Sequence, residues 1–188
     1  MEITLQWIFS LILLIIPAYF ANAAPVWLNP SGEKAAGRIK STPMDNGKNF
    51  FDGRRILGDG KTWEGLFGGI AMGWLAGMIM GWAGFIPLGF SFDLWVWVSL
   101  FLSIGAHAGD LLGSFIKRRL NVGSGGQFPV FDQLGFVILS LLFASFVAPQ
   151  IAYLIGFEGF FFLLALSYGA HVFFNWIAFK IGLKKVPW

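Results

Sequence analysis

The sequence predicts an all-α integral membrane protein, a single membrane domain over residues 1–188 with five transmembrane helices, the N-terminus outside and the C-terminus cytoplasmic. Three observations carry that prediction. Hydrophobic residues make up 56% of the chain and charged residues 12%, with a mean hydropathy of +0.70; a water-facing surface needs more polar side chains than that. Five apolar stretches approach the twenty or so residues that cross a bilayer. Finally, every Lys and Arg falls on one side of a five-span arrangement.

The first span is placed at residues 3–23. Ala21-Asn22-Ala23 at its end mimics a signal-peptidase site, but Glu2 is the only charged side chain before the apolar run. A signal peptide carries a positive n-region, so the segment is read as a retained span that Asn22 and Pro25 terminate. A loop over 24–62 follows, then spans at 63–82 and 92–112, joined by a Gly/Pro turn around Pro87. The third span continues as a helix to about residue 120. A glycine-rich loop at 121–130 leads to a fourth span at 131–155, and residues 156–158 turn the chain into a fifth at 159–181.

The 24–62 loop holds Lys34, Arg38, Lys40, Lys48, Arg54, Arg55 and Lys61; the third-to-fourth loop holds Lys117, Arg118 and Arg119; the C-terminal end holds Lys180, Lys184 and Lys185. These are all thirteen basic residues, and the two remaining connections have none. The positive-inside rule makes their side cytoplasmic, so two cytoplasmic loops form the face where chemistry is expected. The net charge of +3 therefore reads as loop topology and attraction to an anionic leaflet, not as a nucleic-acid footprint. With no cysteine there is neither a disulfide framework nor a thiolate metal site.

Gly65, Gly69, Gly73, Gly77 and Gly81 recur every fourth residue in the second span, and Gly105, Gly109 and Gly113 do so in the third. Such faces let helix backbones approach closely. The packing is expected within one chain or between two, which leaves a homodimer open; a pore lining is the rival reading.

Polar residues gather at the cytoplasmic span ends. Asp110, Ser114 and Lys117 lie at i, i+4 and i+7, on one helix face. A carboxylate at the membrane boundary is costly unless it is paired or holds a metal, and an Asp110–Lys117 pair would satisfy it without any function. Asp132 opens the fourth span, so two carboxylates are positioned to meet. Oxygen ligands near phosphates suit Mg²⁺. Gly58-Asp59-Gly60-Lys61-Thr62 has the flavour of a phosphate loop, but Arg55 stands where the Walker pattern needs glycine; glycines and Lys61 at a helix start still favour an anion. The glycines of residues 122–129 either approach phosphate or form a plain flexible loop. His107, and His171 with Asn175 and Ser167, are read as interhelical hydrogen-bonding groups. The first half of the loop over 26–59 is poor in apolar residues and is expected to be mobile.

Three motifs resemble a known family. Gly60-Lys61-Thr62-Trp63-Glu64-Gly65 resembles the K-T-x-E-G element of phosphatidate cytidylyltransferases. Gly109-Asp110-Leu111-Leu112-Gly113-Ser114-Phe115-Ile116-Lys117-Arg118 resembles their G-D-L-x-x-S-x-x-K-R signature, and Pro129-Val130-Phe131-Asp132-Gln133 their proline-led segment ending in Asp. The order is the family's, although Gln133 stands where Arg is usual. The short five-span form, with Asn22-Ala23-Ala24-Pro25 closing the first span, is similar to the archaeal branch, the CDP-archaeol synthases. That resemblance implies cytidylyl transfer from CTP to an isoprenoid diether glycerol phosphate with Mg²⁺, in the cell membrane, at a site facing the cytoplasm. It implies Asp110 and Asp132 as metal ligands and, with Lys117, catalytic residues. Gly58, Asp59, Lys61, Thr62, Ser114 and Arg118 become nucleotide and phosphate contacts, and Asn22, Arg54 and Arg55 lipid-phosphate candidates. A diacyl phosphatidic acid is the alternative substrate. A transporter or channel, a purely structural protein and a CDP-alcohol phosphotransferase are the rival classes; Asp52-Gly53-Arg54-Arg55 matches only the opening of the last family's pattern.

Overall fold

The computed structural model describes residues 4–28, 42–123, 126, 128 and 131–183. Lys34, Arg38 and Lys40, the mobility expected of the loop's first half over 29–41, most of the glycine-rich run (Ser124, Gly125, Gln127, Pro129, Val130), and Lys184 and Lys185 lie outside the described residues. Five helices follow in chain order: α1 (Leu5–Leu28), α2 (Trp63–Trp82), α3 (Phe92–Arg119), α4 (Phe131–Val147) and α5 (Gln150–Lys180). Among the described residues there is no strand, only isolated bridges between Pro43 and Thr62 and between Asn49 and Arg55.

Helix α1 is the central post and touches each of the other four helices. Leu11, Leu14, Ile15, Ala18 and Ala21 are fully buried along it. The expected stop at Asn22 and Pro25 does not occur, and the helix runs on to Leu28 with Pro17 and Pro25 inside it. Proline removes one backbone hydrogen bond, a defect that membrane helices tolerate where neighbours pack around the freed carbonyl. The carbonyl that Pro25 frees is that of Ala21, and it is packed in that way: a methyl group added at Gly69 would lie 2.9 Å from it.

Helix α2 starts where the Thr62 hydroxyl accepts from the Gly65 N–H at 3.1 Å. All five of its ridge glycines are buried. They receive the tops of α1 and α3: a Cβ at Gly77 would sit 2.2 Å from Ser99 Cβ, and one at Gly69 would sit 2.0 Å from His107 Nε2. On α3, Gly105 and Gly109 face α4, where an added Cβ would meet the Leu139 and Gly135 carbonyl oxygens, each at 2.4 Å. The α2 ridge and, on α3, Gly105 and Gly109 are thus packed within one chain, while Gly113 has nothing within 4 Å of an added Cβ. Indole N–H groups tie the same helices together, Trp95 to the Gly77 carbonyl at 2.8 Å and Trp7 to the Leu154 carbonyl at 2.7 Å, which satisfies donors that lipid cannot.

The fourth apolar segment ends earlier than hydropathy suggests. It stops at Val147, not at residue 155, because Pro149 has no N–H to continue the ladder and disfavours helical geometry at Ala148. The chain re-enters a helix at Gln150, and Gly156 (φ 59°, ψ −172°) breaks α5 into two helical pieces, at the first residue of the expected 156–158 turn. Helices α1, α2, α3 and α5 are long and apolar enough to cross a membrane; α4, with 17 residues, is shorter.

Candidate active site

Residues 42–62 fold into a compact, hairpin-like unit against the C-terminal end of α3. Met44 N–H donates to the Lys61 carbonyl at 2.8 Å and Trp63 N–H to the Thr42 carbonyl at 3.2 Å. At its centre sits Asp45, a buried carboxylate that sequence reasoning missed. It accepts from Arg55 (2.7 Å), from the Gly58 and Leu57 N–H groups (2.8 and 3.0 Å) and from the Gly47 N–H (3.1 Å). Burial alone would raise this carboxyl, but the Arg55 guanidinium and the three backbone donors outweigh it and hold the group well below the usual aspartate range. The Asp45-Asn46-Gly47 turn was the only signal available in the sequence.

A second clamp, also missed, is Arg119. Its guanidinium lies 4.9 Å from the ring centres of both Phe50 and Phe115, pairs with Asp52 at 2.6 Å, and donates to the Arg54 and Arg55 carbonyls. Arg118 holds the next layer, donating to the Leu57 carbonyl at 3.2 Å and the Val122 carbonyl at 2.5 Å. The clamped loop carries Gly58 (φ +99°) and Lys61 to the mouth of the helix bundle.

Two small cavities flank Asp110 there. One is lined by Asn22, Gly109, Asp110, Gly113, Asp132 and Phe136. The other includes Met44, Lys61, Thr62, His107 and Asp110. The two carboxylates and Asn22, from three different helices, therefore meet in one place. The Asp110–Lys117 pair allowed by spacing does not form. Lys61 Nζ is instead 2.6 Å from both oxygens of Asp110, and Lys117 Nζ is 2.8 Å from Asp132. Asp132 also accepts from the Phe128 N–H at 3.0 Å.

The other expected residues sort by position. Ser114 is buried on α3. Thr62 caps α2 while lining the second cavity. Asp59 pairs with Arg55 on the surface of the loop. Arg54 and Arg55 line neither cavity; their bonds hold the loop. His171 and Asn175, on α5, line neither cavity. Asp110 and Asp132, with Asn22 beside them, offer oxygen donors suited to a hard cation of the Mg²⁺ type, which takes one or two protein carboxylates and completes its shell from substrate and water. No group of three or more His, Cys, Asp or Glu side chains forms among the described residues, so a zinc-like cage is not the arrangement seen.

Comparison with known proteins agrees with this geometry. A family model described as "CarS-like: CDP-archaeol synthase" matches residues 4–188. A CDP-archaeol synthase of Thermococcus gammatolerans is 44% identical, with 93% of this chain and 92% of the relative covered. That of Methanococcus aeolicus is 41% identical, with 93% of each covered. A solved structure of an intramembrane enzyme for archaeal membrane lipid biosynthesis superposes with a TM-score of 0.64 at 36% identity, covering 86% of this chain and 92% of that one. The chain belongs to the CDP-archaeol synthase family.

Proposed function

We propose that this protein activates an unsaturated archaeal diether glycerol phosphate with CTP, releasing pyrophosphate and leaving CDP-archaeol in the membrane. The observation that carries the reading is the meeting of Asn22, Asp110 and Asp132 in one cavity, with Lys61 and Lys117 on the two carboxylates. A phosphate oxygen of the lipid attacks the α-phosphorus of CTP, and the bond to the β-phosphate oxygen breaks. The nucleophile is already anionic, so no general base is needed; the protein must bring two anions together in line and neutralise them.

The chain's own residues supply those functions. Asp110 and Asp132 would hold Mg²⁺, which would supply positive charge to offset that of the reacting phosphates. Lys61, at the start of α2, meets the phosphates where the helix dipole also favours an anion. Lys117 stands at the facing side of the cleft. Gly58, held by Asp45 and Arg118, presents backbone that a nucleotide can approach closely. Asn22, inside α1 and ahead of its end at Leu28, is placed for the lipid phosphate.

The same reading makes α4 a fifth crossing. Only then do Lys61, Lys117 and Lys180 share one side, and that side is the cytoplasm, where CTP is. The test is transfer of label from [α-³²P]CTP into lipid by purified protein in detergent with Mg²⁺, given either the geranylgeranyl diether phosphate or a diacyl phosphatidic acid. Label in the diether product is expected. Label only in the diacyl product would move the substrate class, and none with either from folded protein would sink the enzyme reading.

A further inference from the structure

Each carboxylate in the cleft already carries a cation, and the cations are the two lysines expected to meet phosphate. Lys61 Nζ reaches both oxygens of Asp110 at 2.6 Å, and Lys117 Nζ lies 2.8 Å from Asp132. None of the four side chains is more than a third exposed: 25% and 32% in the first pair, 16% and 25% in the second. The oxygens that the lysines occupy are the ones a divalent cation would need. A carboxylate gripped on both oxygens by an ammonium group cannot also offer them to a metal at coordination distance.

We propose that Lys61 and Lys117 are exchangeable counter-cations, displaced from Asp110 and Asp132 by the divalent metal and handed to the phosphates of the nucleotide, so that metal and triphosphate bind as a coupled pair. The inference rests on the nucleotidyl-transfer reading above. Its physical basis is charge balance in a half-buried cleft. Metal alone would leave two ammonium groups without partners, and a triphosphate alone would face two carboxylates stripped of their lysines. Either orphaned charge is costly at this depth. Together they re-form every pairing with new partners. The arrangement keeps the cleft neutral without ligand and disfavours metal bound without nucleotide.

The test measures Mn²⁺ binding to the purified protein without nucleotide, by loss of the free-ion electron paramagnetic resonance signal. The variants are Lys61→Met, Lys117→Met and the double substitution, with Asp110→Asn as the control that identifies binding at this site. Removing the resident cations is expected to tighten Mn²⁺ binding by about 5- to 150-fold, the usual range of a coupling between sites. Lys61→Arg, which keeps a cation on Asp110, should stay close to the wild type, and this conservative variant separates the effect from general disturbance of the fold. Asp110-dependent Mn²⁺ binding with the same affinity in wild type and lysine variants would overturn the exchange and leave the nucleotidyl-transfer site standing. No Asp110-dependent binding in any of these proteins would overturn the metal site and the exchange together.

Discussion

The two ends of α3 are built on opposite principles. From Phe92 to Gly109 the helix is packed by removal of side chains: Gly105 and Gly109 let α4 press its backbone against α3, and Ser99, Ser103 and His107 fill the glycine notches of α2. From Asp110 to Arg119 it is held by charge, with Lys61, Lys117, Arg118 and Arg119 each engaging another segment. The changeover falls between adjacent residues. In the bilayer, association gains little from burial, so close contact and hydrogen bonds must hold helices together; at the interface, charges can be paired. The reactive cleft opens at this seam, and Gly113, with nothing within 4 Å of an added Cβ, is the first ridge glycine that packs against nothing.

Breaking the charged end should have the largest effect. Asp110→Asn keeps the size of the side chain and removes its charge; label transfer from CTP should fall on the order of 10³-fold with the helical circular dichroism unchanged. Near-normal turnover would remove Asp110 from the mechanism. Breaking the packed end should cost stability instead. Gly105→Ala drives a methyl group into the Leu139 carbonyl and Ser140 Cα; backbone cannot rotate away, so α3 and α4 must separate, at about 1–3 kcal/mol. A thermal midpoint in detergent equal to wild type would contradict that packing.

Asp45→Asn probes the clamp that brings the loop to the charged end. Losing the buried one of the two ionic partners of Arg55 and weakening three backbone bonds should destabilise residues 42–62 by about 2 kcal/mol, read as faster amide exchange there than in α3. The pH dependence follows from the lowered carboxyl. Asp45 contributes its full stabilisation above the ordinary aspartate value of about 4. That contribution begins to be lost as pH falls below this value, and it is gone once pH has passed the depressed value of the folded state. Loop protection should therefore be flat from pH 7 to 5; a decline already at pH 6 would show that another group controls it. The smallest effect is expected at Gly113. Alanine there meets no atom and gains helix propensity, so stability should stay level or rise by up to about 1 kcal/mol. A loss like that of Gly105→Ala would mean that the seam has been placed wrongly.

How much of this is legible in the sequence depends on the reach of each interaction. The glycine ridges could be read directly, because a spacing of four defines a face whatever packs on it. The meeting of Asp110 with Asp132 could be read from their places at neighbouring helix ends. The choice of partner could not. Seven residues along a helix is about 10 Å of rise, so Lys117 shares a face with Asp110 but sits too far along it, and the cation arrives from a loop 49 residues away. Asp45 was hidden for a related reason: apart from the Gly47 N–H, its partners lie 10 to 13 residues ahead in a segment with no period. The end of α4 was missed because hydropathy counts apolar residues and Pro149 interrupts hydrogen bonding without interrupting apolarity.

The central place of α1 bears on how the molecule is made. This helix leaves the ribosome before the four that surround it, and its fully buried face must wait in lipid or against the insertion machinery until they arrive. Tyr19 and Trp7, which bond Ser167 and the Leu154 carbonyl, have their partners only when the last helix has been synthesised. Assembly is therefore completed by α5 closing on α1, and a chain released before α5 would leave Tyr19 and Trp7 in the bilayer without these partners.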